Sequence, residues 1–372
     1  MRVRDTLTLK WVLVLLLVIL AVAVIWRQHF IARSRRPART AQTSPGPGAT
    51  RTAPAPPPAP TPKPAPAKPP AAFSPEELAR QLSPDALPRP AATWLETQIE
   101  LSRRAFSCGS IDGVPGAQTV SALQAFQETE GLRVTGQLDP DTRARLVISD
   151  PPLTRLAVTA QDLAGLQPLS PTWLGKSQQS SLAYETALEL VAERAHAHPA
   201  LIRQLNPAVD WSAVAPGTLV TAPAIGPVAA PAKAAEIHIS FGDHVLEAID
   251  EAGHLIAHFP VSIARDVEKR QVGVLHVTVV IPNPDYTFDP DVFPESAEAR
   301  ELGRKLVVPP GPNNPVGVAW IGLDKPGYGI HGTPSPEQVG RTESHGCFRL
   351  ANWDATTLLA LARVGLPVYI DP

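Results

Sequence analysis

Apolar and polar positions change rhythm along this chain, and the changes mark its parts. From Trp11 to Trp26 sixteen consecutive apolar residues carry no charge. As a helix at 1.5 Å per residue they would span about 24 Å, slightly short of a ~30 Å hydrocarbon core, and Leu7 and Leu9 extend them. Between residues 37 and 70 thirteen prolines alternate with Ala, Thr and Lys, and no large apolar side chain appears. Such a segment cannot build a core; it favours polyproline II and acts as a spacer of ~3.1 Å per residue.

Helical spacing begins after Phe73. Leu95, Ile99 and Leu101 predict a helix over 95–106, and Val120, Leu123 and Phe126 a second opening at Thr119. Asp139 is a plausible N-cap for a short third helix that ends about Leu146. The turns Ile111-Asp112-Gly113 and Val134-Thr135-Gly136 are each followed by a Thr-bearing helix, at Thr119 and Thr142, so the segment partly repeats itself. A small three-helix domain over 73–150 is expected. Residues 151–225 read as a small α+β module: a turn-rich start, an amphipathic helix over 182–194, a shorter helix over 198–204, the turn Leu205-Asn206-Pro207 and a final strand after Pro216-Gly217-Thr218. A Pro/Ala-rich boundary at 224–233 follows.

Beyond it the rhythm is that of strands. Residues 236–240, 244–250, 254–263 and 274–281 alternate or are β-branched, with turns at Gly242-Asp243 and Gly253. A clear helix appears only over 354–364, so the segment 234–372 should be mostly β.

Composition narrows the function classes. There are 33 basic and 35 acidic residues, a formal net charge of −2, and no global basic field, which argues against nucleic acid as a partner. The two cysteines, Cys108 and Cys347, are too few for a disulfide framework. Ala21-Val22-Ala23 has the form of a signal-peptide cleavage site but lies inside the apolar run, so 11–26 is expected to be an uncleaved anchor behind a cytoplasmic 1–10; a cleaved signal peptide is the alternative. Arg2, Arg4 and Lys10 precede the run and Arg27, Arg33, Arg35, Arg36 and Arg39 follow it, so Lys/Arg counting alone would keep the following domains in the cytoplasm.

The candidate chemistry lies near the C-terminus, in His331-Gly332-Thr333 and Ser344-His345-Gly346-Cys347-Phe348-Arg349-Leu350. In an extended segment residues two apart share a face, so His345 and Cys347 would present an imidazole and a thiol together. A free thiol, with a pKa of about 8.5, is mostly protonated near neutrality, and a neighbouring imidazolium lowers that value. Gly346 leaves the backbone bare for an approaching carbonyl. This spacing supports acyl transfer through a thioester. Other readings stand beside it: a lone Cys is often a small buried hydrophobe, and His331, His345 and Cys347 could form a two-His, one-Cys zinc triad.

His-Gly-Thr followed by Ser-His-Gly-Cys-x-Arg-Leu resembles the signature of the L,D-transpeptidases (YkuD-type catalytic domains), which remodel bacterial peptidoglycan. Pro309-Pro310-Gly311-Pro312-Asn313-Asn314-Pro315, Tyr328-Gly329-Ile330 and Leu366-Pro367-Val368-Tyr369-Ile370 extend the likeness. The resemblance implies a mostly-β sandwich or barrel with Cys347 as nucleophile and His345 as general base. His331 would line the site with Tyr328 as a wall; Gly332, Ser344 and Gly346 would shape it, and the amides near Cys347 would form an oxyanion hole. Arg349 would either bind the acidic stem peptide or hold the loop by a salt bridge, and both remain open. A departure stands at Arg270-Gln271-Val272-Gly273, where the family often carries Thr-Pro-x-Gly.

Residues 111–142 resemble a peptidoglycan-binding domain, through Ile111-Asp112-Gly113, Ala125-Phe126-Gln127, Gly131-Leu132 and Thr135-Gly136, and 151–225 is similar to LysM glycan-binding modules. The implied partners are peptidoglycan stem peptides and glycan, with the inner membrane held through the N-terminal helix. The implied place is the periplasmic side of the envelope, against the Lys/Arg count but compatible with long domains that translocate regardless of charge. No metal or organic cofactor is implied. The acceptor could be another stem, a lipoprotein lysine, a free D-amino acid or water, the last giving a carboxypeptidase; a wall-binding protein without activity is a further reading.

Overall fold

In the computed structural model the described residues are 73–226, 228, 232–265, 267–292, 297–341 and 346–372. The apolar run 11–26 and the proline-rich stretch 37–70 lie outside them, as do Ser344 and His345. Among the described residues no helix is long and apolar enough to cross a membrane.

The first helices start where proline and capping residues fix them. Helix α1 (Pro75–Leu82) opens on Ser74, whose side chain accepts from the Glu77 amide, with Pro75 in the first turn. Strand β1 (Arg89–Pro90) leads to α2 (Trp94–Arg103), capped by Thr93. Then come α3 (Ala117–Thr129), α4 (Pro140–Arg145), capped by Asp139 as its sequence suggested, and β2 (Val147–Ile148), which pairs back on β1. The partial repeat has a physical cause. Buried Gln98 on α2 donates to Asp112 Oδ1, the Val114 carbonyl and Thr119 Oγ1 at 2.9–3.0 Å, while its own carbonyl accepts from the Asp112 and Gly113 amides. Buried Gln127 on α3 does the same for the second turn: it donates to Thr135, Gln137 and Thr142 and accepts from the Thr135 and Gly136 amides. Each Gly-bearing turn is thus wrapped around one amide that replaces the water its backbone has lost.

The next segment runs β3 (Leu153–Ala157), α5 (Ala160–Ala164), α6 (Trp173–Ser177), α7 (Ala187–Arg194), α8 (Pro199–Leu205) and β4 (Leu219–Pro223). β3 and β4 form a two-stranded antiparallel sheet, and α8 is tied to β4 by Asn206, whose amide donates to the Ile202 and Thr221 carbonyls and whose oxygen accepts from the Thr221 amide. The Asn-Pro turn therefore has a structural task. His196, just past α7, is partly buried. It stacks on Trp353 with ring centroids 5.1 Å apart, and burial pushes its imidazole down to about 4.

The C-terminal segment supplies β5 (Glu236–Ser240), β6 (Val245–Ile249), β7 (Leu255–Pro260), β8 (Gly273–Pro282), β9 (Tyr286–Phe288), α9 (Ala297–Leu302), β10 (Leu306–Val308), β11 (Ala319–Leu323), β12 (Gly329–His331), β13 (Phe348–Arg349), α10 (Asn352–Leu361) and β14 (Pro367–Asp371). Eight of these strands form one mixed sheet in the order β13-β12-β11-β8-β14-β5-β6-β7. β8 serves two partners: its first half pairs with β14 and its second with β11. The two ends of the sheet meet. Ser262, just past β7, exchanges both backbone hydrogen bonds with Arg349 of β13 at 3.0 Å. The sheet thereby curls around a core that includes Ile237, Ile239, Phe259, Ile321, Ile330 and Phe348, with Leu358 and Leu361 of α10 filling it. This is the mostly-β domain read from the sequence, with barrel-like closure.

The three segments share surfaces. Trp173 stacks on Phe288 at 4.3 Å inside an apolar cluster with Leu182, Leu306 and Val308, so the middle segment packs beneath β9 and β10. Leu182 also exchanges backbone hydrogen bonds with Pro310 and Asn313.

Because the Gln127 oxygen is the acceptor for both the Thr135 and Gly136 amides, Gln127→Leu should strand them and cost about 3 kcal/mol of stability. Urea unfolding of the full chain measures this, and a loss below ~0.5 kcal/mol would dismiss the pinning role.

Candidate active site

The site forms at the seam. Phe348 faces the core, fully buried and stacked near Phe241, so by strand alternation Cys347 and Arg349 face the other way. β13 lies parallel to β12 with His331 opposite Arg349. The thiol of Cys347, half-buried, reaches the Gly327 carbonyl at 3.3 Å. Neither Cys347 nor Cys108 forms a disulfide; Cys108 is buried in the helical domain's core, and burial raises its thiol well beyond the ordinary range.

His331 is buried, and burial pushes its imidazole down to about 4, against the favourable Gly332 carbonyl, so the ring is neutral at physiological pH. Its Nδ1 lies 2.6 Å from that carbonyl, which requires the proton to sit on Nδ1. The ring stacks on Trp320 of β11 at 5.7 Å. A side-chain carbon at Gly329 would come within 2.6 Å of the Trp320 ring, so this glycine lets the indole lie flat across β12.

Tyr328 donates its hydroxyl to the Lys269 carbonyl at 2.5 Å, and Lys325 Nζ sits 4.1 Å from its ring centre. Tyr328 is thus fixed beside the Gly327 carbonyl that the thiol contacts. The phenol of Tyr286 in β9 is raised chiefly by burial and then by the negative charge that Cys347 would carry. Arg349 lines a cavity of about 270 Å³ with Ser262, Thr333 and Ser335, and among the described residues no carboxylate pairs with it. That cavity is a place where a carboxylate could meet a guanidinium. The loop salt bridge, the other reading of Arg349, is not formed within the described residues.

The segment His331-Gly332-Thr333 is set by a residue that sequence reasoning missed. Asn352, buried at the start of α10, accepts at Oδ1 from the Thr333 amide at 3.0 Å and the Val318 amide at 3.3 Å. Gly317 and Gly332 flank that oxygen so closely that a side-chain carbon on either would overlap it. Asn352 could have been flagged, since it follows Arg349-Leu350-Ala351 directly. Trp320, Tyr286 and Ser262 carry no local signal; they reach the site through sheet pairing alone. Gly346 lies beside Cys347 among the described residues, whereas Ser344 and His345 fall outside them, so the thiol–imidazole distance is not part of this geometry. Among the described residues no cluster of His, Cys, Asp and Glu could hold a metal ion.

Burial raises the Cys347 thiol above its ordinary value, while the Gly329 backbone and the Arg349 cation pull it down by less. A raised pKa means less thiolate at neutral pH, so the reactive form should appear only as pH climbs past the ordinary thiol value. In a His345→Ala chain, the pH midpoint for Cys347 alkylation by iodoacetamide should therefore lie above about 9, and Arg349→Met should move it higher. Peptide mass mapping separates Cys347 from buried Cys108; a midpoint at or below 8 would mean that the described groups do not set this thiol.

Comparison with known proteins places this geometry. Residues 234–370 match the family model described as "L,D-transpeptidase catalytic domain", and residues 91–146 the one described as "Putative peptidoglycan binding domain". Among curated relatives, "Putative L,D-transpeptidase YkuD" of Bacillus licheniformis is 41% identical over 63 residues, covering 17% of this chain and 38% of the relative. "Putative L,D-transpeptidase YqjB" of Bacillus subtilis is 35% identical over 103 residues, 26% of this chain and 49% of the relative. A relative from Fuscovulum blasticum, also named for L,D-transpeptidase, is 32% identical over 117 residues, 32% of this chain and 58% of its own length. The chain thus spans 38% to 58% of the length of these relatives. Among solved structures an L,D-transpeptidase from Mycobacterium smegmatis superposes with a TM-score of 0.29 at 18% identity, covering 37% of this chain and 58% of the other. The chain thus carries a segment, 91–146, that matches a peptidoglycan-binding domain model, and a second, 234–370, that matches the L,D-transpeptidase catalytic domain model.

Proposed function

We propose that this chain is a peptidoglycan L,D-transpeptidase that cross-links stem peptides through a thioester on Cys347. The observation that carries the reading is the convergence of the Cys347 thiol, the neutral His331 ring and the Arg349 guanidinium on one face of the seam, within the matched catalytic domain. His345 is the general base. It takes the thiol proton as Sγ attacks the carbonyl of the L-centred diaminopimelate in a tetrapeptide stem. The amide C–N bond breaks, the proton passes to the leaving amine, and D-alanine departs. The side-chain amine of a second stem then attacks the thioester; a C–N bond forms, the C–S bond breaks, and the thiol is restored.

The raised pKa of the buried thiol supports a division of labour. The resting enzyme keeps Cys347 protonated, and the base generates thiolate only in contact with substrate. Arg349 receives an acidic group of the stem in the cavity it shares with Thr333 and Ser335. Gly332, Ser344 and Gly346 shape the approach, and backbone amides beside Cys347 stabilise the oxyanion. Residues 73–150 bind peptidoglycan, and 151–225 act as a LysM-like glycan-binding module, a reading supported by its paired outer strands β3 and β4 with the helices α5–α8 between them in the chain. Residues 11–26 anchor the chain in the inner membrane, and 37–70 carry the folded part toward the wall on the periplasmic side.

Intact mass of the full-length chain after incubation with a disaccharide-tetrapeptide, and separately with a carbapenem, tests the chemistry. A covalent adduct is expected with wild type and absent in Cys347→Ala, accompanied by released D-alanine from the tetrapeptide. Folded wild type that gives neither adduct nor D-alanine would leave a wall-binding protein as the better account.

A further inference from the structure

The catalytic domain does not hold its own site alone. The Asn352 side chain, whose oxygen fixes the Thr333 and Val318 amides, spends its amide nitrogen on the middle segment: Nδ2 donates to Glu193 Oε1 at 2.9 Å and to the Pro312 carbonyl at 3.1 Å. Glu193 is on α7 and also accepts from the Tyr184 hydroxyl at 3.2 Å. One turn earlier on the same helix face, Glu189 accepts from Asn313 Nδ2 at 2.6 Å, so two carboxylates four residues apart grip the catalytic domain at Asn352 and Asn313. An unbroken line of hydrogen bonds thus runs from α7 to the backbone that carries His331.

We propose that Glu193, a residue of the accessory segment, is a positioning residue for the thiol site: it orients the Asn352 amide, which in turn fixes the His331-Gly332-Thr333 backbone against β11. An Asn amide can present either end, and here its orientation is set from both sides: the Thr333 and Val318 amides call for its oxygen, and two acceptors call for its nitrogen. The Pro312 carbonyl takes one Nδ2 hydrogen and Glu193 takes the other. With Glu193 gone, one donor is stranded in a buried place, and the Asn352 amide loses one of the two acceptors that hold its nitrogen. The consequence for catalysis rests on the transpeptidase reading above; the positioning itself does not. Burial and the neighbouring charges of Glu189 and Glu337 raise Glu193 to about 7 despite the Asn352 and Tyr184 bonds. An acceptor without a charge should therefore serve equally well.

Three full-length chains, wild type, Glu193→Ala and Glu193→Gln, test this by two readouts. Gln keeps an oxygen for Asn352 and Tyr184; Ala keeps none. In amide hydrogen exchange at pH 7, Glu193→Ala should speed exchange of the Thr333 and Val318 amides about tenfold or more, whereas Glu193→Gln should stay within about twofold of wild type. The turns held by Gln98 and Gln127 should not change in either. In carbapenem acylation of Cys347, Glu193→Ala should lower the limiting rate about tenfold with little change in half-saturating concentration, and Glu193→Gln should restore it. If Glu193→Ala does not fold, Glu193→Asp, which withdraws the oxygen by one methylene, carries the same expectation. Unchanged exchange at Thr333 and Val318 in folded Ala or Asp chains overturns the proposal, as does a Gln chain that behaves like Ala. If wild type is not acylated but the exchange pattern appears, the positioning stands and the transpeptidase reading falls.

Discussion

Everything at the site depends on one backbone pair. Ser262 and Arg349 exchange two hydrogen bonds and so join the ends of an eight-stranded sheet that would otherwise present two open edges. The reactive segment is one of the joined edges. β13 is only two residues long, and a strand that short has little register of its own; Phe348 in the core and the Ser262 pair supply it. A slip by one residue would bury the thiol and expose the phenyl ring. Ser262 also accepts at Oγ from the Gly340 amide, which ties the same seam to the loop that leads toward His345.

The electrostatics follow from where the seam lies. Removal from water raises the Cys347 thiol and lowers the His331 imidazole, both toward neutrality, while Arg349 keeps its charge with an effective proton affinity only reduced by burial.

The accessory segments are built into the catalytic domain, and the joint is the first turn of α10. Its three leading residues each meet a different part of the N-terminal half: Asn352 the Glu193 carboxylate, Trp353 the His196 ring, and Asp354 the Ser107 hydroxyl at 2.9 Å. Burial raises the Asp354 carboxyl well above its ordinary value, against the Ser107 hydroxyl that donates to it. Gln118 of the helical domain adds a bond to the Val339 carbonyl at 2.6 Å, on the loop running toward the site. These contacts couple the helical and middle segments to the C-terminal domain by packed, directional bonds in place of a flexible tether.

Much of this was legible in the residues. The strands at 236–240 and 245–249, the helix at 117–129 and the cap at Asp139 follow from alternation, helical spacing and side-chain oxygen chemistry, which are properties of neighbours in sequence. The thiol and its motif were legible for the same reason, since Gly346, Cys347 and Arg349 are adjacent. The repeated Gly turns showed in the sequence, but not their cause, because Gln98 and Gln127 lie on the preceding helices and meet their turns only once the chain has packed. The chain's rhythm therefore determined most of the elements, and its motif marked the candidate thiol. Only the tertiary structure decided that the sheet closes at Ser262, that Trp320 and Tyr286 wall the site, and that Glu193 reaches Asn352. Those contacts join residues far apart in sequence, and their energy comes from burial and exclusion of water that exist only once the chain has packed.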